Sequence, residues 1–332
     1  MCKLTTENAI RMVKNSFLSN LCEELNLDEV SAPVVVLDGT GVNDDLNGVE
    51  RAVWFPIKDM NEQRGEVVHS LAKWKRLRLK EYGIEEGKGI VTDMKALRPD
   101  EEMSNIHSIS VDQFDWEKHI SPKDRNLNTL KKTVNSVYRT LKYTNQLALI
   151  NGWGDDKLFL PQDITFIHTE DLIKKYPNLT PKERENVIVQ RYVAVFLIGI
   201  GGKLLNGEKH DGRAPDYDDW STETENGKGL NGDILIWNPI LGRSFEISSM
   251  GIRVDKTVLL KQLEIEGCLE RKDLYYHKQL LEGKLPQSIG GGIGQSRLVM
   301  LILQKKHIGE VQVSIWSDKE KESAKKMGID LL

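Results

Sequence analysis

Three segments of this 332-residue chain carry side chains suited to a charged, phosphate-rich ligand. In the last of them, Gly290-Gly291-Gly292-Ile293-Gly294-Gln295-Ser296-Arg297, glycines lead into the apolar run that begins at Leu298. A glycine-rich approach to a helix can present backbone N–H groups to phosphate. A P-loop would end in Gly-Lys-Ser/Thr, and a dinucleotide fingerprint would need glycine at 297, a βαβ unit and an acidic residue about 20 positions on. Neither condition is met. What remains is GxGxxR, with Arg297 in the first turn of a helix, where its guanidinium and the helix N-terminus both attract polyphosphate. Glycine serving close helix-to-sheet packing is the alternative, and this segment alone leaves both open.

The second segment, Lys95 to Glu101, ends a strand and leads through a polar loop into a strand over His107 to Trp116. Period-two alternation puts Ile109, Val111, Gln113 and Asp115 on one side of it. Gln113 and Asp115 interrupt an apolar face, so they are hydrogen-bonded internally, line a polar ligand site or reach solvent at a strand end. The third segment is a hairpin over 232–248, in which Asp233 and Glu246 come within about two residues of facing each other. Facing carboxylates repel, and a divalent cation would relieve that; oxygen-only ligands suit Mg²⁺ bridging phosphates. Separation of the two by strand twist is the alternative.

The elements that must position these groups follow from periodicity. Ile10, Val13, Phe17, Leu21 and Leu25 form one helical stripe with Thr6 as its cap, and helices are expected over Ser70–Tyr82 and Leu127–Leu147. Thr180-Pro181-Lys182-Glu183 is a capping box that opens another. Short β-rich runs at Pro33–Leu37 and Arg51–Ile57 flank a Gly- and Asn-rich loop over 38–48. Strands are expected at 89–98, 106–116, 192–200, 232–238, 243–250 and 310–316. Adjacent strands joined by short turns predict an α+β fold, a mainly antiparallel sheet flanked by helices, in a single domain over 1–332.

Composition narrows the function. Hydrophobic residues are 39% of the chain and 27 residues are glycine, which excludes disordered and collagen-like classes. The 46 Lys+Arg against 50 Asp+Glu leave a net charge of −4, which argues against nucleic acid or anionic lipid as partner. Cys2, Cys22 and Cys268 form no CxxC pair and point to a reducing, cytoplasmic setting. The most apolar stretch, Val193 to Gly202, is shorter than the about 20 residues that cross a bilayer, so no membrane role is expected.

Arg98 and Glu101, then Asp233 and Glu246, then the terminal GxGxxR with Arg297, in that order, resemble the motifs of the class II aminoacyl-tRNA synthetase catalytic core. More closely, the chain is similar to the ammonia-dependent asparagine synthetases (aspartate–ammonia ligases) through VVHSLAKWKR (67–76), MKALRPDE (94–101), VDQFDWE (111–117), GIGGKL (199–204), RAPDYDDW (213–220), GLNGDIL (229–235), FEISSMGIRV (245–254) and IGGGIGQSRL (289–298). The resemblance implies a class II synthetase-like fold, a homodimer, ATP and Mg²⁺. The implied reaction converts aspartate, ATP and ammonia to asparagine, AMP and diphosphate through a β-aspartyl-adenylate.

On this resemblance Arg98 meets the α-phosphate, Glu101 lies near adenine, Gly292, Gly294 and Arg297 hold the nucleotide, and Asp233 and Glu246 carry Mg²⁺. The matching segments offer Ser70, Lys75, Gln113, Asp115, Asp218, Ser249 and Arg253 to aspartate: Lys75 and Arg253 suit its carboxylates, Gln113 and Asp115 its ammonium. Lys75 also sits in a basic run, Lys73 to Arg78, that reads equally as a solvated helix face. Asp44 matches the carboxylate on the ammonia side, with Asp45 next to it as the alternative.

Cys2 invites a glutamine amidotransferase reading, but a helix follows it directly, without a glycine-rich strand or room for a glutaminase domain. The scattered histidines offer no zinc spacing. His210-Asp211 and Asp216, Asp218 and Asp219 read as loop polar groups around the aspartate pocket. An aspartyl- or asparaginyl-tRNA ligase, or a non-catalytic RNA-binding paralogue, is the rival; the slightly acidic charge and the lack of length for an anticodon-binding barrel argue against it.

Overall fold

The computed structural model describes residues 3–44, 50–154 and 157–332; Cys2 and Asp45 lie outside them. An eight-stranded sheet runs in the order 27–29, 89–97, 110–119, 288–294, 243–252, 231–238, 194–198, 165–168. The central strands pair antiparallel. Both edge strands run parallel to their neighbours, so the sheet is mixed. Val35–Leu37, Trp54–Ile57 and Gln63–Val67 form a separate three-stranded sheet.

Alternation along the strands builds two faces. Phe114, Trp116, Ile289, Ile293, Phe196 and Ile198 bury one face under helices Lys3–Leu25, Leu127–Ile150 and Gln295–Ile302. On the other face Met94 and Ala96 pack with helices Ala72–Glu81, Lys256–Ile265 and Tyr275–Leu281. At the far end of that face Val195, Leu197 and Leu235 meet helices Thr169–Lys175 and Pro181–Tyr192. The stretch between those two groups of helices is where the cleft opens.

Most expected elements form close to the expected bounds. The first helix begins at Lys3, which makes Thr6 an interior residue and not a cap. The Thr180 capping box is formed on both sides. The strand expected at 106–116 starts later, at Ser110, because Ser104 and His107 pair in a turn. The strand expected at 310–316 does not form, and the segment lies beside the Ser110 end of strand 110–119 without joining its ladder. That segment is instead tied by its side chains, Gln312 Nε2 donating to the Ser110 carbonyl at 3.0 Å and Ser314 Oγ lying 2.6 Å from Ser108 Oγ. Trp54 is exposed under the Arg64 guanidinium, 4.7 Å from the ring centroid.

The glycines of 290–294 are strand residues, and the helix starts after them at Gln295. A Cβ on Gly290 would lie 2.0 Å from Glu117 Oε2 and 2.5 Å from Arg253 Nη2. Bare backbone there lets a buried ion pair cross the strand. A Cβ on Gly294 would meet only the Arg297 side chain, at 3.5 Å. Gly290→Ala is therefore expected to lower stability by about 3–5 kcal/mol, the usual result of breaking a buried pair, while Gly294→Ala leaves it nearly unchanged. Denaturant unfolding of both variants checks the contrast.

Candidate active site

A cleft of ≈ 560 Å³ opens between the helices of the second face. Its floor is organised by cross-strand register. Asp233 pairs with Ser249, Ser249 with Gly292, and Gly292 with Asp115, which sets these positions in one row across four strands. A bulge in the 231–252 hairpin skips Ile247, so Leu235 faces Glu246 while Ile234 faces Ser248. The extra residue shifts the alternation and turns Glu246 toward the cleft with Ser249.

Ser249 Oγ lies 2.6 Å from Asp233 Oδ1 and 3.3 Å from Glu246 Oε1, bridging the two acids. Arg213 Nη2 donates to Asp233 Oδ1 at 2.5 Å and Nη1 to Ser249 Oγ at 3.1 Å. Burial raises the Asp233 carboxyl to about 6; Arg213 opposes the rise and Glu246 adds to it. Burial also disfavours ionised Glu246, but Arg297, Lys182 and Arg213 outweigh it and hold that carboxyl below its usual range. Two neighbouring carboxyls, one of them raised partly by the charge of the other, are a place where a cation binds well. Asp233 makes both contacts through Oδ1, so the pair fits a divalent ion that retains waters and takes its remaining ligands from phosphate. Among the described residues no group of three or more His, Cys, Asp or Glu forms a metal site of its own.

Arg297, at the start of its helix, leans on this pair. Nη1 donates to the Glu246 carbonyl at 3.3 Å and lies 3.6 Å from Glu246 Oε2, with the guanidinium over Phe245. Across the cleft, Arg98 Nη2 donates to the His69 carbonyl at 3.2 Å, and Glu101 lies beside His107, whose Nε2 is 3.8 Å from Glu101 Oε1. Burial, with the Arg297 charge nearby, lowers His107 to about 4, so it is neutral near pH 7.

The floor toward the helix 72–81 is a chain of buried charge. Arg253 donates through Nε and Nη2 to Glu117, at 3.0 and 2.7 Å, and through Nη1 to Asp218. Burial opposes the ionisation of Glu117, yet the charge and hydrogen bonds of Arg253, with Lys75 nearby, lower its pKa. Lys75 is fully buried and bonds Asp115 and the carbonyls of Trp116 and Gly291, at 3.0 and 3.3 Å for the last two. Its pKa is lowered by burial, against the pull of Asp115. Asp115 Oδ2 also accepts the Leu71 N–H at 3.2 Å and so caps the helix that carries Lys75.

Asp44 is buried in the connection that follows strand Val35–Leu37. Ser70 Oγ donates to its Oδ2 at 2.9 Å. Asn43 latches this loop: its Oδ1 accepts from the Asp44 and His69 N–H groups at 3.0 and 2.9 Å, and its Nδ2 donates to Glu66 at 3.2 Å.

Asp44, Ser70, Arg98, Glu101, Gln113, Asp115, Asp218, Asp233, Glu246, Ser249, Arg253, Gly292, Gly294 and Arg297 thus share one cleft. Lys75 stands apart from its lining, one layer below, behind Asp115. The basic run around it is no solvated face: Lys73, Lys75 and Arg76 are all buried, Lys73 on Asp216 at 3.0 Å and Arg76 on the Val254 carbonyl at 2.8 Å. Arg213, Lys182, Tyr217 and His107 also line the cleft and were not singled out from the sequence. Arg213 opens the RAPDYDDW segment, in which the acids after it carry the stronger local signal. The other three carry no local signal.

This architecture places the chain among proteins with the catalytic-core fold of class II aminoacyl-tRNA synthetases. Asparaginyl-tRNA synthetase from Pyrococcus horikoshii, solved with asparaginyl-adenylate, superposes with a TM-score of 0.69 at 18% identity, over 93% of this chain and 68% of that one. The Entamoeba histolytica asparaginyl-tRNA synthetase gives 0.65 at 16% identity, over 93% and 66%. The chain belongs to the aspartate–ammonia ligase family, whose profile it matches over residues 4–328. Aspartate–ammonia ligases from Parabacteroides distasonis and Bacteroides thetaiotaomicron are 57% and 54% identical over 98% of this chain and 95% of each relative.

Lys75 reaches the cleft through Asp115 and the Gly291 carbonyl, and Lys75→Met is expected to leave a buried carboxylate unpaired and to lower stability by about 3–5 kcal/mol. Adding Asp115→Asn removes the orphaned charge and should restore much of that loss, which a double-mutant cycle followed by denaturant unfolding measures.

Proposed function

We propose that this enzyme amidates L-aspartate with ammonia, consuming ATP and releasing asparagine, AMP and diphosphate through a β-aspartyl-adenylate. The observation that carries the reading is the meeting, in one cleft, of Arg98, Arg297 and the Asp233–Glu246 pair with Asp44, Ser70 and Gln113. Family membership supports the same reaction.

In the first half-reaction a β-carboxylate oxygen of aspartate attacks the α-phosphorus of ATP and diphosphate leaves. A carboxylate repels nucleophiles and lacks a leaving group, and adenylation supplies one. Arg98 neutralises charge developing on the α-phosphate, Arg297 holds the distal phosphates or the purine face, and Glu101 lies toward adenine. Gly294 leaves backbone-level space for the nucleotide beside Arg297, and Gly292 makes room for Gln113 in the floor beneath it. Mg²⁺ held by Asp233 and Glu246 would screen the phosphate charges. Gln113, Asp115 and Asp218 face the aspartate ammonium, while Arg253 and, one layer down, Lys75 supply positive potential for its carboxylates; Ser70 and Ser249 complete the aspartate subsite.

In the second half-reaction ammonia attacks the activated carbonyl and AMP leaves. Asp44 attracts the nitrogen and accepts a proton from it, a role that typically contributes about 10²–10⁴ in rate. A single catalytic domain, a homodimeric assembly and a cytoplasmic setting complete the proposal. Among the described residues no helix is long and apolar enough to cross a membrane.

Product analysis tests the reading directly: with ATP, Mg²⁺ and aspartate, ammonium alone should give asparagine and AMP, and glutamine or tRNA should not be required. Arg98→Ala is expected to cut aspartate-dependent ATP–diphosphate exchange by about 10²–10³. Asp44→Asn should retain that exchange and lose amide synthesis; equal loss of both steps would overturn the role given to Asp44.

A further inference from the structure

Behind Asp44 lies a second cavity of ≈ 640 Å³, bordered among the described residues by Asp38, Asn43, Asp44, Glu50, Arg64 and His69. Asp44 and Glu50 border both this cavity and the adenylation cleft. The wall carries more acids than cations, Asp38, Asp44, Glu50 and Glu66 against Arg51 and Arg64; Arg64 lies 3.0 Å from Glu66 and 3.6 Å from Asp38, and Arg51 Nε donates to Asp100 at 2.8 Å.

His69 is buried, only 1% exposed, and its ring has a defined orientation. Nδ1 lies 3.0 Å from the Asp44 carbonyl oxygen, which can only accept, so Nδ1 carries the hydrogen. Nε2 is then the ring position at which a proton can be taken up, and that buried atom has no hydrogen-bond partner. The His69 N–H on Asn43 and its carbonyl on Arg98 fix the backbone from both sides.

Proton accounting gives this atom a task, on the functional reading above. Forming the amide from ammonium and the acyl-adenylate releases two protons: one as NH₄⁺ becomes NH₃, and one as the nitrogen of the tetrahedral adduct loses a hydrogen when the C–O bond to AMP breaks. One carboxylate cannot hold both. We propose that the second cavity is the ammonium port of the enzyme and that His69 Nε2 takes the first proton, delivering ammonia to Asp44, which takes the second. The protonated ring returns its proton to water through the same cavity.

Hydroxylamine separates this role from a structural one, because it is largely unprotonated at neutral pH and needs no such base. His69→Asn keeps a donor to the Asp44 carbonyl and removes the Nε2 lone pair. Ammonium-dependent asparagine synthesis should fall by about 10²-fold, while aspartyl-hydroxamate formation from hydroxylamine and ATP–diphosphate exchange keep their wild-type rates. Loss of the ammonium and hydroxylamine reactions together, or of neither, overturns the role of His69. Ala52→Trp, which fills the port from a wall residue, should raise KM for ammonium and leave KM for ATP and aspartate alone; an unchanged KM for ammonium overturns the port. Wild-type protein that makes no asparagine from ammonium would instead refute the functional reading itself.

Discussion

The Arg253 guanidinium, clasped between Glu117 and Asp218 with all three side chains buried, is the constraint from which the cleft is built. Glu117 lies on strand 110–119 and Arg253 follows strand 243–252, and the strand between them runs through Gly290, which pairs with Glu117 on one side and Gly251 on the other. Side chains at either glycine would occupy the space of the pair: a Cβ on Gly251 would lie 2.8 Å from Asp218 Oδ1. A buried ion pair is weak evidence of net stability, since desolvation offsets most of its attraction. Its consequence here is geometric. It requires bare backbone at Gly290 and Gly251 and holds Asp218 at the cleft.

From that anchor the charges continue outward in alternation. Arg213 stands between Asp218, 3.6 Å from its Nε, and Asp233, and Asp233 is joined to Glu246 through Ser249. Lys75 performs the same service for Asp115 on the other side. The floor therefore holds the carboxylates Asp115, Glu117, Asp218, Asp233 and Glu246 against the cations Lys75, Arg213 and Arg253. The surplus is negative and is felt at low dielectric, where it favours an incoming cation strongly. Arg98 and Arg297 carry the opposite sign at the walls. A ligand that is anionic at one end and cationic at the other fits this division better than a uniformly charged one.

The sheet strands and amphipathic helices were legible because their signals are local: Ile10 through Leu25 keep a helical stripe, and the 180–183 capping box satisfies its own backbone. The glycine segment, open from sequence between a phosphate approach and close packing, is a strand, and its glycines answer to Glu117, Arg253 and Gln113 from neighbouring strands, side chains about 40 to 180 positions away in sequence that no local pattern reveals. The bulge at Ile247 was equally hidden. Strict alternation would turn Glu246 away from Ser249, and only the pairing with Leu235 restores it. Arg213 and His69 escaped notice for the same reason: each owes its position to partners far away in sequence.

The basic run of helix 72–81 shows how composition can point the wrong way about exposure. Lys73, Lys75 and Arg76 would each face a large desolvation cost as isolated charges, and a helix carrying them reads as solvated. Here each meets its counterpart on a different element: Lys73 and His277 share Asp216, Lys75 meets Asp115, and Arg76 fills the carbonyls of Val254 and Pro286. The helix is thereby fixed in rotation and in height, because moving it by one residue would break all three sets of contacts at once. Its N-terminus, capped by Asp115, directly follows Ser70, and Ser70 holds Asp44. The position of Asp44, the carboxylate proposed to serve ammonia, is thus set by charges buried beneath the proposed aspartate subsite, which would tie the geometry of the second half-reaction to the same network that shapes the first.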